Sequence, residues 1–144
     1  MEVLETFLKK FIKRLNAEKL LKEIMQDSRL KDLVIELNLE QLYESGTDAA
    51  GRSLGEYTAF TKDQKIEKGQ RYDHITLKDS GKFYNSFKII VVTDGFEIRV
   101  KDLEGKDSLI YRYGIDILGL DQLSMVEFQN ILAIEIRKKI LELL

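Results

Sequence analysis

The chain has 144 residues, about one domain, and its 44% hydrophobic and 33% charged residues are typical of a folded globular protein. A formal net charge of −2 gives no overall attraction to nucleic acid. The absence of cysteine excludes disulfides, thiolate metal sites and thiol nucleophiles. The opening MEVLETFLKKFIKRL lacks the features of a secretory signal, and no apolar run approaches about 18–20 residues, so we expect neither a leader nor a membrane span.

The first third of the chain, residues 1–45, is predicted to be helical. Residues 3–15 place apolar side chains at the spacing of an amphipathic helix, with lysines opposite: Leu4, Phe7, Leu8, Phe11, Ile12 and Leu15. A second helix is predicted over residues 17–26. A third begins near Ser28, its candidate N-cap, and ends at Gly46.

Residues 46–75 are rich in glycine and polar side chains and are predicted to form a long exposed loop. A short helix is predicted at residues 62–68, capped by Thr61 and ended by Gly69. Loops longer than about 12–15 residues are usually functional or disordered. The aromatic side chains of this loop therefore suggest a docking surface: Tyr57, Phe60 and Tyr72.

Residues 76–144 are predicted to hold an antiparallel sheet and a C-terminal helix packed on it, which makes the fold class α+β in a single domain, 1–144. The segment SFKIIVVTDGFEIRVKD predicts a hairpin over about 86–101 with Asp94-Gly95 in its turn. A third strand is predicted around residues 108–113. The last helix is predicted over about 125–143, with a capping box formed by Ser124 and Glu127.

The side-chain chemistry favours neither a metal nor a cofactor. His74 is the only histidine, and transition-metal sites usually need two or more nitrogen or sulfur ligands. We therefore interpret His74 as a surface or loop residue. Neither glycine-rich nucleotide-binding fingerprint occurs. No cofactor, no metal and no catalytic residue are expected.

A metal-dependent nuclease is the enzymatic alternative. Asp79, followed one strand later by Glu97-Ile98-Arg99 with Lys101 beyond, loosely fits the acid and acid-x-base pattern of phosphodiesterases. The simpler interpretation is that Glu97, Arg99 and Lys101 form the solvated face of an amphipathic strand. Basic residues near both ends of the chain are likewise interpreted as solvated helix faces: Lys9, Lys10, Lys13, Arg14, Arg137, Lys138 and Lys139.

The segment LKDSGKFYNSFKI, residues 77–89, joins the loop to the sheet. Asp79 is expected to accept a backbone N–H, and Ser80-Gly81 to permit a tight approach of the chain. Phe83 and Phe87 are four residues apart, on one face of a helical turn. The residues alone thus predict a one-turn helix that pins the loop onto the first strand.

This segment resembles the D-T-G-x-L-x-x-S signature of tail-completion and head–tail joining proteins (minor tail or neck proteins) of tailed bacteriophages. Asp79, Ser80, Gly81, Phe83 and Ser86 occupy the signature positions, with serine in place of threonine and phenylalanine in place of leucine. The segment upstream is similar to that of small virion proteins of phages, at Leu42, Tyr43, Gly46, Leu54, Tyr57, Thr61 and Lys65. The resemblance covers most of the chain, including the order of helices, motif, sheet and final helix.

The resemblance implies a structural, non-enzymatic protein of the virion, assembled in the host cytoplasm as a homo-oligomeric ring at the neck or upper tail. Its partners would be other copies of itself and neighbouring neck, portal or tail proteins, near packaged DNA but without sequence-specific binding. A DNA channel is expected to avoid a basic wall, because tight phosphate contacts would stall ejection. The candidate subunit interface is aromatic: Phe7, Phe11, Tyr57, Phe60 and Tyr72. A small adaptor that binds another protein through its first helix is the remaining alternative.

Overall fold

The computed structural model describes residues 2–14, 16–93 and 95–143, with the backbone alone for 12–14. Within these ranges the chain is α+β, with seven α-helices and one two-stranded antiparallel sheet. The elements are α1 (Glu2–Arg14), α2 (Ala17–Met25), α3 (Ser28–Glu40), α4 (Ala59–Glu67), α5 (Lys82–Asn85), β1 (Lys88–Val92), β2 (Gly95–Arg99), α6 (Leu109–Tyr113) and α7 (Gln122–Leu143). A π-helical turn, Gln41–Ser45, follows α3, and short 3₁₀ turns lie at Gly105–Asp107 and Ile115–Ile117.

The predicted helical N-terminal region is confirmed. Asn16 caps α2 by accepting a hydrogen bond from the Lys19 N–H. Asp27, one residue before the predicted cap Ser28, caps α3 through the Arg29 N–H. Gly46 ends the helical stretch in the left-handed conformation, at φ +62°. The predicted stripe residues Ile12 and Leu15 lie outside the side chains that the structure describes.

The predicted exposed loop at residues 46–75 is exposed along about half of its length but is packed against the body at several points, which corrects the prediction in part. The buried carboxylate of Asp48 accepts hydrogen bonds from the N–H groups of Ala50 and Arg52, and the Ala49 N–H donates to the Asp116 carbonyl. Ile75 and Thr76 are also buried. The helix in this segment, α4, begins three residues earlier than predicted, since Thr58 rather than Thr61 caps it.

The predicted hairpin is confirmed as β1 and β2. Their antiparallel register pairs Ile89 with Ile98 and Val91 with Phe96, and the side chains of β2 alternate between half-buried and exposed. Of the two predicted turn residues, Asp94 lies outside the described residues. Gly95 is the first residue of β2 and pairs with Val92, so the predicted turn position is wrong at Gly95.

The predicted third strand at residues 108–113 is wrong, because this segment forms α6. Ser108 caps α6 by accepting a hydrogen bond from the Tyr111 N–H. The Asp102 carboxylate accepts further bonds from the N–H groups of Leu109 and Ile110 and from the Ser108 hydroxyl. A carboxylate distant in sequence thus satisfies the first N–H groups of the helix, and the sheet stops at two strands.

The C-terminal helix α7 is confirmed and begins three residues before the predicted start. The predicted capping box is wrong: the Asp121 carboxylate accepts a hydrogen bond from the Ser124 N–H, so Asp121 takes the capping position. Phe128 of α7 is buried, with its ring edge-on to Phe96 of β2 at 5.7 Å between centroids. In the described ranges, no helix combines the length and apolar character needed to cross a bilayer.

The core consists of two clusters that meet around α3. The first joins α2, α3, β1 and α7 through Met25, Val34, Leu37, Ile89, Leu120 and Phe128. The second lies under the loop and the motif turn, through Leu42, Ile75, Leu77, Tyr84, Phe87 and Ile117. Ile35 and Ile98 contact both clusters, so the two pack as a continuous body.

Two buried amide side chains of the α3 region hold the segment before α7. Asn38, 0% exposed, donates to the Ile117 carbonyl at 3.0 Å and accepts from the Gly119 N–H at 2.9 Å. Gln41 donates to the Gly119 carbonyl at 3.2 Å and accepts from the Asp121 N–H at 2.7 Å. We call these four bonds the amide clamp. The clamp satisfies backbone groups that have no sheet or helix partner.

We expect Asn38→Leu to lower the free energy of unfolding by about 2–4 kcal/mol, because the substitution leaves the Ile117 carbonyl and the Gly119 N–H without partners. Urea denaturation followed by circular dichroism measures the loss. The matched control is Glu40→Leu, at an exposed position of the same helix, which should change stability by less than about 0.5 kcal/mol. Equal stabilities of the two variants would contradict the role given to the clamp.

Asp102 supplies a pH-dependent part of the stability. Desolvation alone would raise the pKa of Asp102, but the hydrogen bonds from Ile110, Leu109 and Ser108 together hold it below its ordinary value. A carboxylate with a lowered folded-state pKa stabilises fully above its unfolded pKa and loses that contribution as the pH falls through the folded one.

Asp102→Asn is therefore expected to cost about 1–2 kcal/mol at pH 7. The difference from the wild type should shrink as the pH falls below about 4. Denaturation curves at pH 7 and pH 3 measure it, with the exposed neighbour substitution Asp107→Asn as the control. A difference that stays constant between the two pH values would show that the Asp102 charge does not stabilise the fold.

Candidate functional site

The motif turn, residues 79–86, is a structural corner between the loop and β1. Gly81 adopts φ +89°, a conformation that side chains other than glycine rarely tolerate, and the Ser80 hydroxyl accepts a hydrogen bond from the Lys82 N–H. The predicted one-turn helix is present as α5. The rings of Phe83 and Phe87 meet edge to face at 5.3 Å between centroids, as their spacing predicts.

Asp79 has side-chain partners and not the backbone N–H that the sequence suggests. Gln70 Nε2 lies 3.3 Å and Lys68 Nζ 3.3 Å from its Oδ1. The Gln70 hydrogen bond, aided by the Lys68 ammonium, holds the pKa of Asp79 below its usual range. The carboxylate therefore ties the motif turn to the segment that follows α4.

Ser86, at the last motif position, connects α5 to the end of the hairpin. Its hydroxyl donates to the Phe83 carbonyl at 2.7 Å and accepts from the Lys101 N–H at 3.0 Å. The hydroxyl thus both closes the helical turn and takes up an N–H just beyond β2. This geometry accounts for a serine at this position without any chemical reaction.

A tyrosine–threonine network fixes the strand-like segment that precedes the motif turn. The buried Tyr84 hydroxyl donates to the Thr76 carbonyl, and burial raises the pKa of Tyr84. The Thr76 N–H donates to the Tyr57 hydroxyl at 3.0 Å, and the hydroxyls of Tyr57 and Thr76 lie 3.1 Å apart. Next to Thr76, Leu77 adopts φ +62°, which costs about 1–2 kcal/mol for a residue with a side chain. The network and the packing of Leu77 in the second cluster offset this strain.

A groove of about 1140 Å³ opens beside the motif turn, between α4, the hairpin end and α6. Its floor is apolar and includes Leu77, Phe83, Phe87, Val100 and Leu109. Two carboxylates line the groove, Asp79 and Asp102. Eight basic side chains surround the floor: Lys65, Lys68, Lys78, Lys82, Lys88, Arg99, Lys101 and Arg112. We call this site the basic groove.

Several of the cations in the basic groove are already in contact with the protein. Lys65 donates to the Lys78 carbonyl at 2.7 Å and lies over the Tyr57 ring, and Lys68 pairs with Asp79. Arg99 pairs with Glu97 at 3.1 Å. Within the described ranges, six of the eight form no ion pair. Lys65 and Lys78 among them lie over tyrosine rings. The remaining four are exposed at the rim: Lys82, Lys88, Lys101 and Arg112. Both carboxylates of the groove are engaged, Asp79 with Lys68 and Asp102 as the cap of α6.

The hairpin itself brings two cations together at the basic groove. Its register places Lys88 of β1 directly opposite Arg99 of β2. Like charges directly opposite each other on neighbouring strands are destabilising. Glu97, paired with Arg99, already offsets part of this repulsion. An anionic group in the groove would offset the rest at Lys88, so the arrangement favours a negatively charged ligand or partner.

The predicted aromatic interface residues differ in their exposure. Phe7 and Phe11 stack at 6.1 Å along α1, and Phe7 is exposed. Phe60 and Tyr72 are exposed, at 72% and 46%. Tyr57 is different: it is half-buried, packs on the second cluster and holds Thr76. Tyr57 belongs to the framework of the groove and is not a freely available docking group.

The carboxylates of the nuclease alternative form ion pairs with basic side chains. Asp79 pairs with Lys68, and Glu97 with Arg99. Across the part of the chain that the structure describes, no three His, Cys, Asp or Glu side chains are grouped as a metal site would require. His74, the only histidine, is half-buried with Nε2 2.7 Å from the Tyr43 carbonyl oxygen, and its ring leaves no space for a Cβ at Gly46. His74 therefore packs the loop against the helix end.

Sequence reasoning missed the basic groove, since it considered basic clusters only on the first and last helices and assigned Arg99 and Lys101 to the solvated face of a strand. A two-residue turn at Asp94-Gly95 would place Lys88 opposite Lys101, whereas the structure sets Val92 opposite Gly95 and so pairs Lys88 with Arg99. Either register brings two cations together at the end of the hairpin, and this was the signal that the sequence contained. The contributions of Lys82, Lys101 and Arg112 depend on the corner at Ser86 and on the helical state of residues 109–113.

Comparison of the chain with protein-family models, with curated proteins and with solved structures finds no match.

If the motif turn is a structural corner, Ser86→Ala should destabilise the protein by about 1–2 kcal/mol, because it removes the acceptor of the Lys101 N–H. Thermal and urea unfolding measure the effect. Asn85→Ala, at the exposed neighbouring position, is the control and should stay within about 0.5 kcal/mol of the wild type. A stable Ser86→Ala protein would leave the serine without the structural role argued for it.

Proposed function

We propose that this chain is a structural subunit of a tailed-phage virion, a neck or tail-completion protein that forms a ring between the head connector and the tail. The observation that carries the proposal is the exposed apolar face of α1. Residues 2–10 are all exposed, and Val3, Leu4, Phe7 and Leu8 form a contiguous stripe. Contiguous exposed apolar surface of this kind marks interaction sites.

The motif turn supports the same proposal from a different direction. Its resemblance to the phage signature rests on Asp79, Ser80, Gly81, Phe83 and Ser86. These residues build the corner: the Asp79 carboxylate bonds to Gln70, Gly81 supplies the turn, Phe83 packs on Phe87, and Ser86 holds Lys101. A signature made of corner-forming residues is what an assembly protein requires, whereas an enzyme would place reactive groups there.

The adaptor alternative uses the same stripe on α1 but a different partner. A neck subunit binds copies of itself and neighbouring virion proteins, whereas an adaptor binds one host protein. The apolar stripe is short and lies on an amphipathic helix, which suits either kind of partner. The location of the protein distinguishes the neck subunit from the adaptor.

Mass spectrometry of purified particles of the phage or prophage that carries this gene tests the proposal. We expect the chain in finished particles at a constant ratio to the capsid subunit, far below one to one. A chain abundant in infected cells but missing from particles would overturn the virion role and favour the adaptor or the nuclease.

A variant pair links the particle result to α1. Leu4→Asp with Leu8→Asp introduces charge into the exposed stripe and should abolish incorporation into particles, without loss of folding, since neither position is buried. Thr6→Asp, on the opposite side of the same helix, is the control and should be incorporated normally. Incorporation of both variants would show that the α1 stripe does not serve assembly.

A further inference from the structure

We propose that the first two turns of α1 of one copy, residues 2–8, dock in the basic groove of the neighbouring copy. The proposal rests on the proposed ring and specifies the contact that builds it. Both partners in the contact, the α1 tip and the groove, lie on the same chain. Residues 2–10 are all exposed, so the tip is available to a second copy.

The first partner in the contact, the α1 tip formed by residues 2–8, differs chemically from the rest of α1. Residues 2–8 carry Glu2 and Glu5 and no basic residue, and the lysines begin at Lys9. The apolar residues of this segment are all exposed, Val3 most of all at 84%. The tip of α1 is therefore an acidic, apolar helix end, while its second half is basic.

The other partner in the contact, the basic groove, has the complementary chemistry. The apolar floor can take the Leu4 and Phe7 side chains out of water, and four rim cations without ion pairs in the described ranges can meet Glu2 and Glu5. Lys88 and Arg99, opposite each other on the hairpin, would have their repulsion reduced by such a carboxylate. The basic half of α1 fits the groove poorly, so the charge pattern selects the tip.

The sizes also agree. A seven-residue helical segment is roughly 10 Å long and 10–12 Å across, which corresponds to a volume of roughly 800–1,200 Å³. The groove has about 1140 Å³. The volume of the groove is thus of the same order as that of two helical turns.

The contact joins two different patches and is therefore heterologous. Such a contact, repeated around an axis, closes into a ring when the rotation between copies divides a full turn. Nucleic acid is the competing occupant of a basic groove. Phe83, Val100 and Leu109 pack against the second cluster but are only half-buried. The apolar floor argues for the helix tip, because a phosphate backbone would leave their solvent-facing surfaces uncovered by apolar groups.

The absence of cysteine permits a direct test by disulfide cross-linking. One chain carries Val3→Cys at the edge of the α1 stripe, and a second, distinguishable by isotope label, carries Leu103→Cys at the exposed groove margin. Oxidation of the mixture should give the mixed disulfide dimer in severalfold excess over the control pair, in which Leu123→Cys at the exposed start of α7 replaces Leu103→Cys.

Three results, two from cross-linking and one from sedimentation, would overturn the proposal. Equal yields for the two pairs would show that the groove does not receive α1. A chain carrying both Val3→Cys and Leu103→Cys that cross-links only within itself at every concentration would place the tip in its own groove. A wild-type chain that sedimentation velocity finds monomeric at all concentrations would show no contact between copies.

Charge reversal gives an independent test with a built-in rescue. Glu2→Lys with Glu5→Lys, or Lys88→Glu with Lys101→Glu, should each weaken self-association about tenfold or more. Mixing the two variants should restore assembly, because the reversed tip then meets the reversed groove. Failure of the mixture to assemble, with both variants folded, would contradict the pairing.

A nucleic-acid arm and the particle experiment keep the two proposals separate. If a fluorescent single-stranded or duplex oligonucleotide binds the wild type but not the Lys88→Glu, Lys101→Glu variant, while self-association is unchanged, the groove serves a polyanion and the docking proposal fails. If the cross-link forms but the chain is absent from particles, the docking stands and the virion role fails. If the chain is in particles but the cross-link does not form, the virion role stands and the docking proposal fails.

Discussion

The amide clamp is the constraint on which the rest of the structure depends. The side chains of Asn38 and Gln41 turn one helix face into a hydrogen-bonding partner for an irregular backbone segment, residues 117–121. That segment sets where α7 begins and where Phe128 enters the first cluster, and through Ile117 it also closes the second cluster. Because buried amides have donor and acceptor needs that only one backbone arrangement meets, the clamp specifies register as well as adding stability.

The groove follows from this framework by way of the motif turn. The second cluster holds Leu77 and Phe87, the network around Thr76 fixes the chain between them, and Ser86 fastens the turn to the end of β2. Each of these ties is internal, so the backbone positions from which the rim lysines project are fixed. Fixed backbone positions matter because ordering a lysine side chain in an ion pair already costs side-chain entropy.

The sequence predicted the elements whose signals are local. The amphipathic spacing of α1, the Asp-Gly hairpin and the corner at Gly81 all depend on neighbouring residues. The errors have distant causes. Residues 109–113 read as a strand because Ile, Tyr and Leu favour strands, yet Asp102 satisfies the N–H groups of α6 from seven and eight residues away. Likewise Tyr57 looked like a docking residue because nothing near it in sequence reveals its bond to Thr76, 19 residues on.

The basic groove eluded prediction for a related reason, since net charge says little about local charge. The chain as a whole is slightly acidic, but many of its carboxylates already have partners within the fold. Asp48 and Asp116 pair with Arg52, Asp73 and Glu44 pair with Arg71, and Asp102 accepts hydrogen bonds from α6. What remains uncompensated at the hairpin end is positive, and what remains at the tip of α1 is negative. The tip of α1 contributes no buried packing to the core, and the rim cations of the groove are exposed. Substitutions at these positions can therefore change the contact between copies without disturbing the clamp that keeps each copy folded.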